Sequence, residues 1–126
     1  MNYTIEHVEL RRIAMPLVSP FRTSFGSQTE RDILLVRVDV APDDGGDTIE
    51  GWGECVALSE PSYSPEYVDG AQHVMIHHLL PRLVAAGPIE AADVAPALAK
   101  LHGHPMAKAA LEMAVLDAQL RAQGQS

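Results

Sequence analysis

"ILLVRVDV", residues 33–40, is the stretch whose reading decides the fold. Leu34, Val36, Val38 and Val40 share one face of an extended chain while Arg37 and Asp39 lie on the other, the period of two expected of a strand packed mainly on one side. The flanks extend the pattern. Downstream, "APDDGGD" (41–47) supplies Pro, Asp and Gly for a reversal, and "TIEGWGECVAL" (48–58) resumes an extended run. Upstream, "YTIEHVELRRIAMPLV" (3–18) mixes β-branched, aliphatic and charged residues without a helical stripe and reads as a long strand ending near Pro16. Val8, Leu10 and Ala14 fall on one of its faces, Glu9, Arg11, Ile13 and Met15 on the other. Together the three runs predict an antiparallel three-stranded meander.

After Pro61 the texture changes. Ser64, Pro65 and Glu66 stand in the order N-cap, first-turn proline and first-turn acid, and Tyr67, Val68, Ala71, Val74, Met75 and Leu79 recur at helical spacing. A helix over about 65–80 is expected, ended or bent by Pro81. "AAGP" (85–88) precedes a shorter helix near 90–101, and "GHP" (103–105) breaks the chain again. The alanine-rich "MAKAALEMAVLDAQLRAQG" then reads as a third helix over 106–123, ended by Gly124. The fold class is α+β, a three-stranded antiparallel meander followed by three helices.

Composition narrows the function classes. The 126 residues suit one domain, and a formal charge of −8, from nine Lys+Arg against seventeen Asp+Glu, opposes the attraction to phosphate and anionic lipid on which nucleic-acid and membrane-surface binders rely. No apolar run approaches the roughly 18 residues of a spanning helix, and "MNYTIEHVELRR" lacks the basic-then-apolar order of a signal peptide. A cytoplasmic location is the expectation. Lone Cys55 has no intrachain disulfide partner and no special spacing to a histidine, so it reads as a buried structural thiol.

Other polar groups read as structural. His73 and His77 stand i, i+4 on the expected helix, a spacing that can seat two imidazoles on one metal, but no third ligand or HEXXH order accompanies them; a solvated face with His78 is favoured. The glycines of "GWGEC" and "DDGGD" open no phosphate-binding helix. Glu54 has no partner base, and Arg31 with Asp32 reads as a cap of the loop base, a surface pair being the alternative. The segment 19–31 differs. As a connection of thirteen residues it exceeds the two to five of ordinary hairpins, and it carries Phe21 and Phe25. The residues alone leave two explanations open: the rings pack on the domain's own sheet, or they cover an apolar ligand.

"VELRRIAMPLVSPFRTSFGSQTERD", "GWGECVAL", "PSYSPEYVDGAQHV" and "HPMAKAALEMAVLDAQLRAQG", in this order and spacing, resemble the N-terminal part of the o-succinylbenzoate synthase / N-succinylamino acid racemase family of the enolase superfamily. The resemblance runs from Tyr3 to Ser126. It implies a capping domain over residues 1–104, and over 105–126 a helix leading into a (β/α)8-type barrel whose strands this chain does not include. The barrel would hold Mg²⁺ and the lysines that move a proton α to a carboxylate through an enediolate, so no catalytic or metal-binding residue is assigned here, and the segment alone is expected to be inactive. Phe21, Arg22, Thr23, Ser24 and Phe25 match the family's lid loop; Leu58, where relatives often carry Met, and Tyr63 match its second cap loop. These seven are the implied substrate-binding residues. The implied partners are a small-molecule carboxylate, the protein's own barrel and a second copy in a homo-oligomer, and the implied setting is menaquinone biosynthesis. Dipeptide epimerase and muconate cycloisomerase are rival reactions in the superfamily, and a free-standing interaction module is the rival outside it.

Overall fold

The structure is a computed structural model that describes the backbone of residues 1–23 and 26–124, and their side chains outside 15–31. Strands β1 (Tyr3–Thr23), β2 (Gly26–Pro42) and β3 (Ile49–Cys55) form one antiparallel sheet in the order β1-β2-β3. The meander and the α+β class are as the alternation predicts. Leu34, Val36, Val38 and Val40 are fully buried, and Arg37 on the opposite face pairs with Asp39 at 2.9 Å and Glu9 at 3.3 Å.

The first hairpin is longer than expected. β1 does not end near Pro16: Met15 pairs with Arg31 and Pro16 with Glu30, the register then shifts, and Phe21, Arg22 and Thr23 pair with Gln28, Ser27 and Gly26. The segment 19–31, expected as a thirteen-residue loop, is thus mostly the two arms of a ribbon. Pro16 and Pro20 are compatible with this because β1 is an edge strand, where a missing N–H breaks no ladder, and the register shift takes up residues 17–20.

Helices cover the apolar face. The first begins later than the Ser64 signal implies and runs further: α1 (Val68–Val74) passes through a π-helical turn (Met75–Leu79) into α2 (Leu80–Ala85). Tyr67 is the N-cap because the chain there is still extended, bridged to Leu58, with the Val68 N–H donating to the Leu58 carbonyl at 2.8 Å. Ser64 instead accepts from the Glu66 N–H at 3.3 Å. Pro81 neither ends nor breaks the helix. It sits in the first turn of α2, directly after a widened turn in which the Leu80 N–H reaches back to Met75, so its absent N–H falls where the ladder has already been rearranged. The expected helix near 90–101 is a 3₁₀ turn (Ala91–Asp93) and a short α3 (Val94–Leu98), started by a reciprocal cap between Glu90 and Asp93. α4 (Pro105–Ala122) matches the third helix within a residue. Among the described residues no helix is long and apolar enough to cross a membrane.

α4 supplies Ala107, Ala110, Leu111, Ala114, Val115 and Ala118 to the same core as the sheet. Its contact with β3 is unusually close because two inward positions of β3 are Gly51 and Gly53. A Cβ built on Gly53 would overlap the Ala110 carbonyl and stand 3.0 Å from the Ala114 nitrogen; one on Gly51 would stand 2.7 Å from the Ala118 Cβ. The neighbours are backbone and cannot swing away. Gly53→Ala is therefore expected to destabilise the protein by about 1–3 kcal/mol or more, the range for overpacked cores, read as a shifted denaturant midpoint with an unchanged slope. An unchanged midpoint would show that α4 can slide off β3 at no cost.

Candidate functional site

Two segments leave the sheet at one end. β3 stops at Cys55, which pairs with Leu34; beyond that level β1 and β2 continue without a third strand, and the chain after β3 enters the irregular segment 56–67. The two-stranded ribbon and this segment therefore spring from the same edge of the core. Cys55 itself is buried, as its apolar context suggested.

The 56–67 segment is fastened at its far end. Glu66 accepts from the Met106 N–H at 2.8 Å through one carboxylate oxygen and from the Ala107 N–H at 3.0 Å through the other. These are first-turn amides of α4, whose own N-cap, His104, is left-handed with φ 57° and makes no side-chain cap. A carboxylate at that positive helix end is favourable, and it ties the segment to the core across some forty residues of chain. Sequence reading took Glu66 for a first-turn acid of its own helix. The acid does serve a helix terminus, but of α4.

The ribbon is fastened at its root by Arg12. Its Nε donates to Asp32 Oδ1 at 3.0 Å and its Nη2 to Asp32 Oδ2, while Nη1 donates to Asp69 Oδ1 at 2.7 Å and to Gln72 Oε1 at 3.0 Å. The hydrogen bond from Arg12 holds the Asp32 carboxyl below the usual aspartate range, and the two carboxylates hold the guanidinium above its own. Asp32 thus pairs with Arg12; the side chain of Arg31, its expected partner at the loop base, lies outside the described residues. Position 12 was missed although the signal was present. Val8, Leu10 and Arg12 follow one another on the face of β1 that meets β2's buried residues, so an arginine there marks where the apolar core ends.

The substrate-binding residues implied by resemblance divide into two groups. Leu58 is half-buried, held by its bridge to Tyr67, and Tyr63 is 73% exposed in the same segment. Ser24 and Phe25 lie outside the described residues, as do the side chains of Phe21, Arg22 and Thr23, whose backbones form the tip of the ladder. Val56 is exposed too, so the 56–67 segment offers apolar surface at the end of the sheet where the ribbon emerges.

His73 and His77 stand near each other on the helix, as their spacing implies. His73 and His77 are exposed with ring centroids 4.4 Å apart, and among the described residues no three His, Cys, Asp or Glu side chains are grouped to hold a metal ion. The Mg²⁺ implied by the resemblance is expected on barrel residues and not on these.

Residues 6–126 match the mandelate racemase / muconate lactonizing enzyme N-terminal domain family. The chain is 60% identical over 119 residues to N-succinylamino acid racemase of an Amycolatopsis species, covering 94% of this chain and 31% of that protein. It is 42% identical over 118 residues to o-succinylbenzoate synthase of Geobacillus kaustophilus, covering 93% and 30%. The structure of an enolase-superfamily member from Listeria innocua superposes with a TM-score of 0.85 at 30% identity, over 96% of this chain and 31% of that one. The chain therefore spans about a third of the length of the curated relatives it matches.

The Arg12–Asp32 pair sets an acid dependence. Because Asp32 is depressed in the folded protein, its contribution is fully present above the unfolded aspartate value of about 3.9 and is lost as pH falls through the lower folded value. Denaturation midpoints between pH 6 and pH 2.5 should fall less steeply for Asp32→Asn than for the parent protein. Parallel curves would remove Asp32 from the acid-sensitive groups.

Proposed function

The chain belongs to the mandelate racemase / muconate lactonizing enzyme N-terminal domain family, and from that premise we propose that it is the capping domain of an enolase-superfamily enzyme acting as an o-succinylbenzoate synthase / N-acylamino acid racemase. The observation that carries this choice is the 60% identity to an N-succinylamino acid racemase over almost the whole chain. The two segments leaving one end of the sheet support it, since a cap needs mobile or adaptable elements on one side of a rigid layer. On this reading the rest of the enzyme, a barrel continuing from residues 105–126, carries the catalytic groups and Mg²⁺. Residues 1–104 recognise the small carboxylate substrate and close the site.

Closure would exclude water from the enediolate, and the apolar residues Phe21, Phe25, Leu58 and Tyr63 would select the acyl or side-chain end of the substrate, with Arg22, Thr23 and Ser24 shaping the ribbon tip. Apolar contacts of this kind discriminate weakly, about 1–3 kcal/mol per methylene, which suits a site serving both a synthase and a racemase reaction. The enzyme would work in the cytoplasm as a homo-oligomer, and the 1–126 segment alone would not turn over.

In the full-length enzyme, Phe25→Ala and Tyr63→Ala should each raise KM for N-succinylamino acids about 5- to 150-fold, the factor corresponding to that apolar contribution, while Tm stays within a few degrees. A large fall in Tm with unchanged kinetics would return the rings to the domain's own core. Absence of both racemisation and o-succinylbenzoate formation, with turnover of dipeptides or muconate, would move the enzyme elsewhere in the superfamily. No turnover of any of these would favour an interaction module.

A further inference from the structure

We propose that Arg12 is a positioning residue that clamps the root of the 15–31 ribbon to helix α1 and thereby sets how the ribbon stands over the substrate. The functional half of this rests on the capping role proposed above; the clamp itself rests on geometry. A two-stranded ribbon is marginal in water unless something packs against it or holds it. This ribbon loses its third strand at the Leu34–Cys55 level, and the Ala14–Asp32 pair lies just beyond. Arg12 acts at that point. Its guanidinium takes both oxygens of Asp32 on β2 through one edge and reaches Asp69 and Gln72, one turn apart on α1, through Nη1. Among the described residues, Arg12–Asp69 is the one ion pair between the hairpin and a helix.

Isolated surface ion pairs contribute little, but this one is two-pronged on Asp32 and joins three elements, with the Asp69 end largely open to water. Only a planar fork can hold Asp32 and α1 together; a lysine ammonium would have to divide itself between them. The clamp's other end is equally informative. Asp69 lies in the first turn of α1, immediately after the 56–67 segment, so one guanidinium couples the ribbon to the element that ends the second cap loop.

The test uses the full-length enzyme, with amide hydrogen exchange and steady-state kinetics read together on Arg12→Gln, Arg12→Lys and the milder Asp69→Asn, which leaves the Asp32 fork in place. Exchange of the 15–31 amides should accelerate about tenfold in Arg12→Gln and less in the other two, while the β2–β3 ladder amides keep their protection. KM should rise several-fold with kcat within about twofold, and Arg12→Lys should recover part of the loss. Unchanged exchange at 15–31, or equal acceleration throughout the sheet, would overturn the clamp. A loosened ribbon with unchanged KM, in an enzyme whose KM does respond to Phe25→Ala, would overturn the positioning role. If Phe25→Ala is silent as well, the capping assignment fails while the clamp stands on exchange alone.

Discussion

Helix α4 rests on strand β3 with almost no side chain between them, and the remainder of the molecule is arranged around that contact. Gly51 and Gly53 turn their bare backbone toward Ala110, Ala114 and Ala118. The register that allows this is unique. A slip of one residue would swing Trp52 and Glu54 into the seam, where neither bulk nor charge has room. With β3 held in one register, β2 is held through its ladder. Leu34, Val36, Val38 and Val40 are then aimed at the helices without further instruction. Asp117 on α4 reinforces the arrangement by accepting the Trp52 backbone N–H at 2.9 Å, on the edge of β3 that no strand covers.

β3 also decides where the core stops. It has seven residues against twenty-one in β1 and seventeen in β2, so the longer strands must continue without it. The chain leaving β3 turns away at the same level. Both candidate recognition elements are consequences of this one mismatch in length, and each is returned to the core by a single charged side chain: Glu66 to the amides of α4, Arg12 to the acid and amide of α1.

Alternation and helical spacing made the layers legible from sequence, since both report which residues are buried, and burial follows from side-chain chemistry alone. Boundaries set by distant partners were not legible. Ser64 satisfies every local criterion for an N-cap, yet the Leu58 bridge keeps Tyr67 extended and delays the helix to Val68. Pro81 satisfies every criterion for a stop, yet a π-helical turn before it rearranges the ladder it would have broken. Pro16 suggested the end of a strand because nothing local says that β1 is an edge. For the site, Leu58 and Tyr63 came from resemblance, and nothing in the spacing of the chain would have paired Arg12 with Asp69, fifty-seven residues away. The available hint was chemical: a charge at a position where the periodicity calls for an apolar residue.

Two kinds of force are therefore kept apart in this small domain. Among the described residues the fully buried core contains no charged side chain, and its cohesion is apolar burial and close backbone packing, which salt and pH scarcely alter. The end from which the ribbon and the 56–67 segment spring is held by ion pairs and by a carboxylate on a helix terminus, partly open to water and so screened by salt over a distance of about 10 Å. Arg12 and Glu66 themselves take no part in the Gly51–Gly53 seam. On the capping role proposed above, opening would be confined to these ionic fastenings while the sheet and α4 stay packed. For the same reason ribbon sequence can vary between enzymes of differing specificity without endangering the fold: its two arms lie past the last residue that β3 supports.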